Sequence, residues 1–302
     1  MKRRHIFIAI GVSLILLILG SFFDLQISQG LYVGDNFFVL LLTGIGQYPL
    51  YGALGFLSGV VMFSVSKLYK SVPFRILAIS CGVILTCLCG FLQGKQLYDY
   101  DALGALAPNL YKIYIYVPTG LVLMLPMVYL GYLLNQKIQL NQAQFVKTVI
   151  LIVGICLAFT LSKSIKPFID RPRYAYIHTF MHEPELFTNW WKPFKNVDHF
   201  ISIDGVDKDL FRSFPSGHAT CGAMTMLMLP MLSLYIPKLE NKKVLLFYVG
   251  LTYALLISFV RIIQGSHYLT DVAFGMLISV VFIYLTNEFV IRDAFVRKEA
   301  NN

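Results

Sequence analysis

The chain has 302 residues, 57% of them hydrophobic and only 14% charged, with a mean hydropathy of +0.68. A soluble domain carries about a quarter charged residues, so an aqueous setting is excluded for most of this chain and lipid sets its architecture. The formal charge of +9 does not imply nucleic acid, because the cations fall in small groups between apolar runs with no continuous basic face.

Met1-Lys2-Arg3-Arg4-His5 precedes an apolar stretch reaching Phe23. That stretch exceeds the roughly 7–15 residues of a cleaved signal core, and no small-residue cleavage site follows, so it is expected as an uncleaved first span. Runs near the spanning length of about 20 residues occur at 6–23, 49–66, 75–93, 112–134, 147–165, 216–236, 244–264 and 270–290. Each must satisfy its own backbone hydrogen bonds in lipid, which makes it a helix. The expected fold is all-α, a polytopic membrane bundle of about eight transmembrane helices with both termini on one side.

Charge orients this bundle. With the N-terminus in the cytoplasm, Lys2, Arg3, Arg4, Lys67, Lys70, Arg75, Lys137, Lys147, Lys238, Lys242, Lys243, Arg292, Arg297 and Lys298 all fall inside. The first outer loop, 24–48, has no cation and carries Asp24 and Asp35. Outer segment 163–214 is the exception, with Lys163, Lys166, Arg171, Arg173, Lys192, Lys195, Lys208 and Arg212. Long loops cross largely regardless of charge, and an anionic ligand is the simplest reason for so many cations there. Within it, 174–214 is long enough for a small extramembrane structure. Trp190, Trp191 and Phe194 beside Lys192 and Lys195 suit a headgroup-level surface or ordinary interfacial anchoring.

The five cysteines, Cys81, Cys87, Cys89, Cys156 and Cys221, all lie in apolar runs and read as small hydrophobes, with no disulfide framework implied. His178 and His182, near Glu183, have one-turn spacing but no third ligand, so no metal is expected. No cofactor is implied, and nothing in the sequence speaks to oligomeric state.

Three clusters remain, each at the end of an apolar run on the outer face. Lys166 to Arg173 follows the fifth run, where Pro167 and Pro172 are expected to stop the helix. Lys166 and Arg173 can converge on one anion there, or serve as a basic flank reaching for headgroups. Pro215-Ser216-Gly217-His218 opens the sixth run, where a helix start offers free N–H groups, Ser216 a hydroxyl and Gly217 a close approach. His218 can donate a proton there, and a capped helix with an interfacial histidine is the alternative. Arg261 closes the seventh run, and His267 and Asp271 stand four apart where the eighth begins. A carboxylate on one imidazole nitrogen would leave the other free to attack phosphorus. Asp271 as a favourable charge at a helix start is the alternative.

With these residues in place, the sequence resembles the type 2 phosphatidic acid phosphatase superfamily, which includes lipid phosphate phosphatases, glucose-6-phosphatase and the vanadium haloperoxidases. Its signature is matched by Lys166 and Arg173, by Pro215 to His218, and by Arg261, His267 and Asp271. Tyr174 stands where the first motif has its last proline, and Val260 replaces the serine before Arg261. An alignment ending on Arg171-Pro172 fails, because Ser164 stands where the lysine should be.

The resemblance implies His267 as nucleophile, Asp271 as its orienter and His218 as general acid, with Lys166, Arg173, Arg261, Ser216 and Gly217 holding the phosphate. It implies a six-helix core within 74–292, including outer loop 174–214, with 1–73 a two-helix N-terminal addition and 293–302 a cytoplasmic tail. The implied partner is a phosphorylated membrane lipid: phosphatidic acid, phosphatidylglycerol phosphate, undecaprenyl pyrophosphate or a lipid A phosphate. A phosphotransferase with the same phosphohistidine, and a transporter of anionic lipid, are the rival readings.

Overall fold

The computed structural model describes residues 3–291, and no strand forms among them. Arg292, Arg297, Lys298 and the tail 293–302 lie outside the described residues, as do Met1 and Lys2. Among the described residues seven helices are long and apolar enough to cross a membrane, which makes this a multi-pass membrane protein.

α1 (Arg3–Leu31) is the first span, and it runs a further two turns past its apolar run into the expected outer loop. α2 (Phe37–Ile45) fills most of the rest of that loop, started by Asn36, whose side chain accepts from the Val39 amide at 3.1 Å. α3 (Tyr48–Leu68), α4 (Val72–Leu97) and α5 (Ile113–Lys137) pack on one another as a three-helix group. Glycines set how close they come. A Cβ on Gly59 would lie 2.5 Å from the Val128 carbonyl oxygen, so only glycine admits this α3–α5 crossing.

α6 (Gln142–Ile169) starts on a reciprocal cap between Asn141 and Gln144. It does not stop at Pro167 as expected. A proline so near the end forfeits only the bond to the Lys163 carbonyl, and the helix closes at Asp170, which takes a left-handed conformation (φ 45°) just before Arg171-Pro172. The extension carries Lys166 onto the helix proper.

Residues 174–214 form a small structure of their own between α6 and the sixth apolar run. α7 (Tyr174–Thr179), α8 (Val197–Asp204) and a 3₁₀ turn at Lys208–Phe211 enclose a core of Tyr174, Tyr176, Ile177, Val197, Phe211 and Tyr268. His178 pairs with Glu183 at 2.8 Å and His182 with Asp204 at 3.0 Å, so the two histidines serve separate carboxylates. The two tryptophans part company. Trp191 is exposed, whereas Trp190 stacks on Phe214 and donates to Ser21 of α1 at 3.0 Å, pinning the cap to the bundle.

The sixth apolar run is helical but broken. α9 (Gly217–Ala223) ends at Met224, and α10 (Thr225–Met231) takes over and passes into a 3₁₀ turn. The Thr225 hydroxyl at the break donates to the Gly250 carbonyl at 2.9 Å. It tethers the broken run to α11 (Lys243–Ile263), and α12 (Leu269–Ile291) follows as the last helix. α12 packs on α1, α6 and α9, so the first helix lies directly against the last.

Candidate active site

The loops at one end of the bundle surround a cavity of about 80 Å³, lined by Lys163, Lys166, Arg173, Gly217, His218, Arg261 and His267, with Asp99, Asp101 and Asp209 among its other walls. Three elements far apart in sequence supply the expected residues. The end of α6 carries Lys166, whose Nζ donates to the Arg212 carbonyl at 2.7 Å. Arg173 is the residue before α7, and its backbone N–H donates to Leu210 at 2.8 Å.

Arg261 and His267 are brought together by the turn between α11 and α12. Gly265 there has φ +73°, a conformation other residues rarely take, and the amides of Ser266 and His267 both fold back onto the Arg261 carbonyl at 3.2 Å. A six-residue separation thus becomes a side-by-side pair. His267 lies outside the spans, and its burial pushes the imidazole down to about 3, with Lys166 and Arg261 acting in the same sense and Asp271 opposing. It is a neutral base at physiological pH.

His218 Nε2 donates to the Thr43 carbonyl at 3.1 Å, which fixes the ring and leaves Nδ1 as its other nitrogen. Ser216 is not in the cavity. It is wholly buried, capping α9 through the Ala219 amide at 3.3 Å, while its own amide donates to the Asp271 carbonyl at 2.9 Å.

Asp271 sits 3.8 Å from His267 Nδ1, longer than a hydrogen bond, and Nδ1 has no partner among the described residues. The carboxylate is held elsewhere. Arg171 Nη1 donates to Oδ1 at 2.6 Å, while the Tyr268 amide at 2.8 Å and the Ser213 hydroxyl donate to Oδ2. Asp271 is therefore anchored one small movement away from the imidazole, not already bonded to it.

Sequence reasoning missed the supports. Arg171, fully buried, joins Asp271 to Asp24 of α1 at 2.9 Å and lies over the Tyr268 ring at 4.0 Å. Asp101, in the loop between α4 and α5, accepts from Arg261 Nη2 at 2.6 Å and Arg173 Nη1 at 3.1 Å through one oxygen. Those two guanidinium groups hold its carboxyl well below the usual range against the cost of burial. The Nε atoms of both arginines are buried with no partner among the described residues. Asp101 thus occupies one edge of each guanidinium and leaves Nε donors free for an anion. The only sequence signals were a second arginine in the Lys166–Arg173 stretch and an Asp-Tyr-Asp triplet in an outer loop.

Residues 147–293 match the family model described as the PAP2 superfamily. Residues 147–293 belong to that superfamily. Neither a search of curated proteins nor one of solved structures returns a match. PAP2 superfamily members are phosphatases, which supports a phosphoric ester hydrolase built on membrane helices. The PAP2 region supplies Lys163, Lys166, Arg173, Gly217, His218, Arg261 and His267 to the cavity, and residues preceding it supply Asp99 and Asp101.

Proposed function

We propose that the protein hydrolyses a lipid phosphate or pyrophosphate at the outer leaflet of the cell membrane through a phosphohistidine. Phosphatidic acid, phosphatidylglycerol phosphate and undecaprenyl pyrophosphate are the candidate substrates. One observation carries the reading: two imidazoles and four cations line one cavity, with buried guanidinium Nε donors left unpartnered. A buried polar group without a partner is costly, and a phosphate oxygen is the natural acceptor here.

The steps follow from the geometry. Lys166, Arg173 and Arg261 hold the phosphoryl oxygens, with Gly217 leaving room for them. The neutral His267 attacks phosphorus with a ring-nitrogen lone pair, and the bond from phosphorus to the leaving oxygen breaks. His218, entering this step as the imidazolium with its Nε2–H on the Thr43 carbonyl, gives that oxygen its Nδ1 proton. Water then attacks the phosphohistidine, His218 takes the proton, and phosphate leaves with His267 restored. Asp271 closes on His267 Nδ1 as the ring gains positive charge, with Arg171 keeping the carboxylate aimed. Ser216 acts from behind, fixing the start of α9.

Residues 1–73 are then an N-terminal addition to the core at 74–292, and one that braces it through Asp24 and Thr43. The distribution of Lys and Arg between loops supports cytoplasmic termini and an extracytoplasmic cavity. A cysteine placed at exposed Lys192 should react with an impermeant maleimide on intact cells, and failure to react reverses the orientation.

The deciding experiment is a phosphate-release screen on the purified full-length protein. His267→Ala should abolish release while the protein stays folded, and rapid acid-free quenching of the wild type should trap phosphate on His267. Full activity in His267→Ala refutes the mechanism. Transfer of phosphate to a lipid hydroxyl, with no release in its absence, favours the phosphotransferase.

A further inference from the structure

Lys163 is a fourth cation in the cavity and lies outside the three matched motifs. It stands one helical turn before Lys166 on α6, so the two side chains leave the same face of the helix. Their surroundings differ. Lys166 has the Arg212 carbonyl as partner, whereas Lys163 makes no hydrogen bond or ion pair among the described residues, its nearest ring being Phe159 at 5.5 Å. Its Nζ lies against the bare Cα of Gly217, close enough that a Cβ there would touch it at 3.5 Å. Gly217 is the residue before His218, so Lys163 stands on the His218 side of the cavity, from which the leaving group departs.

Charge matching gives Lys163 a ligand. Lys166, Arg173 and Arg261, less the carboxylate of Asp101, leave two positive charges, which suits a phosphate monoester dianion. Asp209 is paired with Arg212 at 3.0 Å and Asp99 has Lys95 one turn before it, so each of these wall carboxylates has a cation of its own besides the four that line the cavity. A third positive charge on the His218 side suits the additional negative charge of a diphosphate.

We infer that Lys163, beside Gly217, forms a second anion subsite that takes the inner phosphate of a lipid diphosphate. This rests on the phosphatase reading above. The outer phosphorus is attacked by His267, the bridging oxygen leaves on the inner phosphate with a proton from His218, and Lys163 stabilises the charge of that departing monophosphate. A monophosphate substrate leaves the subsite empty and loses that contribution.

The test compares farnesyl diphosphate with farnesyl monophosphate, which share one tail, on the full-length protein in detergent. The readout is the ratio of their kcat/KM values. Wild type should favour the diphosphate, and Lys163→Met and Lys163→Gln should each lower the ratio by about tenfold, the worth of one charge-assisted contact. Lys163→Arg should restore most of it. Inorganic pyrophosphate should inhibit wild type more strongly than inorganic phosphate and lose that advantage in Lys163→Met. A structural role would depress both substrates alike, and an unchanged ratio in both neutral variants overturns the inference while leaving the phosphatase intact. No phosphate release from either compound by wild type refutes the phosphatase reading and this inference with it.

Discussion

Arg171 joins two carboxylates that have no other cation, and replacing it with methionine should cost the protein both stability and rate. Its contacts with Asp271 at 2.6 Å and Asp24 at 2.9 Å are each worth about 6 kcal/mol of gross attraction at an effective dielectric near 20. Most of that offsets the cost of burying three charges, so the pair of contacts adds little net stability. Breaking them is different. Arg171→Met leaves Asp24 and Asp271 buried as uncompensated anions, a loss of about 3–5 kcal/mol. Unfolding in mixed dodecylmaltoside–dodecyl sulfate micelles measures it. The rate of phosphate release should fall with stability, by about tenfold or more, because the carboxylate that faces His267 is no longer aimed. Adding Asp24→Asn to Arg171→Met should recover part of the stability, since one stranded anion is then neutral, but not the rate, since Asp271 stays unsupported. A loss below about 1 kcal/mol, or full activity in Arg171→Met, would refute this account of the site's foundation.

Asp101→Asn removes the negative charge from between Arg173 and Arg261, and the inhibition constant of inorganic phosphate should drop by about tenfold; an unchanged or weaker inhibition counts against phosphate lying beside those arginines. His267 is held neutral by burial, down to about 3, so it gives stability that is present above its ordinary value near 6.5 and lost as pH falls toward 3. Wild type should therefore lose stability relative to His267→Gln by up to about 1.4 kcal/mol per pH unit between pH 6 and 4, and a gap that stays flat with pH excludes the neutral buried imidazole. Gly275→Ala sets a Cβ 2.5 Å from the Ser216 carbonyl oxygen, pushing α12 off the segment that carries His218; a cost of about 1–3 kcal/mol and reduced turnover are expected, and wild-type melting would show the crossing to be looser than described.

The helices were readable because lipid forces each apolar run to close its own hydrogen bonds, and all eight runs are helical. The interruption of the sixth at Met224 was not readable, since no proline stands at it and the hydroxyl of Thr225 finds its partner on α11. Pro167 misled for the converse reason: the sequence shows a helix breaker, while the cost depends on how few bonds follow it. In the site, the residues that line the cavity carried their own signal as charges at the edge of lipid, where an ionisable group is expensive. Ser216 looked like a ligand by type, and its hydroxyl is spent on the backbone of α9.

By itself the sequence determined the class of structure, the number of apolar runs and the cations and imidazoles that meet at one end, because hydrophobic length and charge placement act locally. Only the tertiary structure decided that Asp24, Asp101 and Arg171 stand behind them. Those partners come from loops and helices up to 160 positions apart, and a buried charge reveals its neutralising partner only once the chain has brought the two into contact.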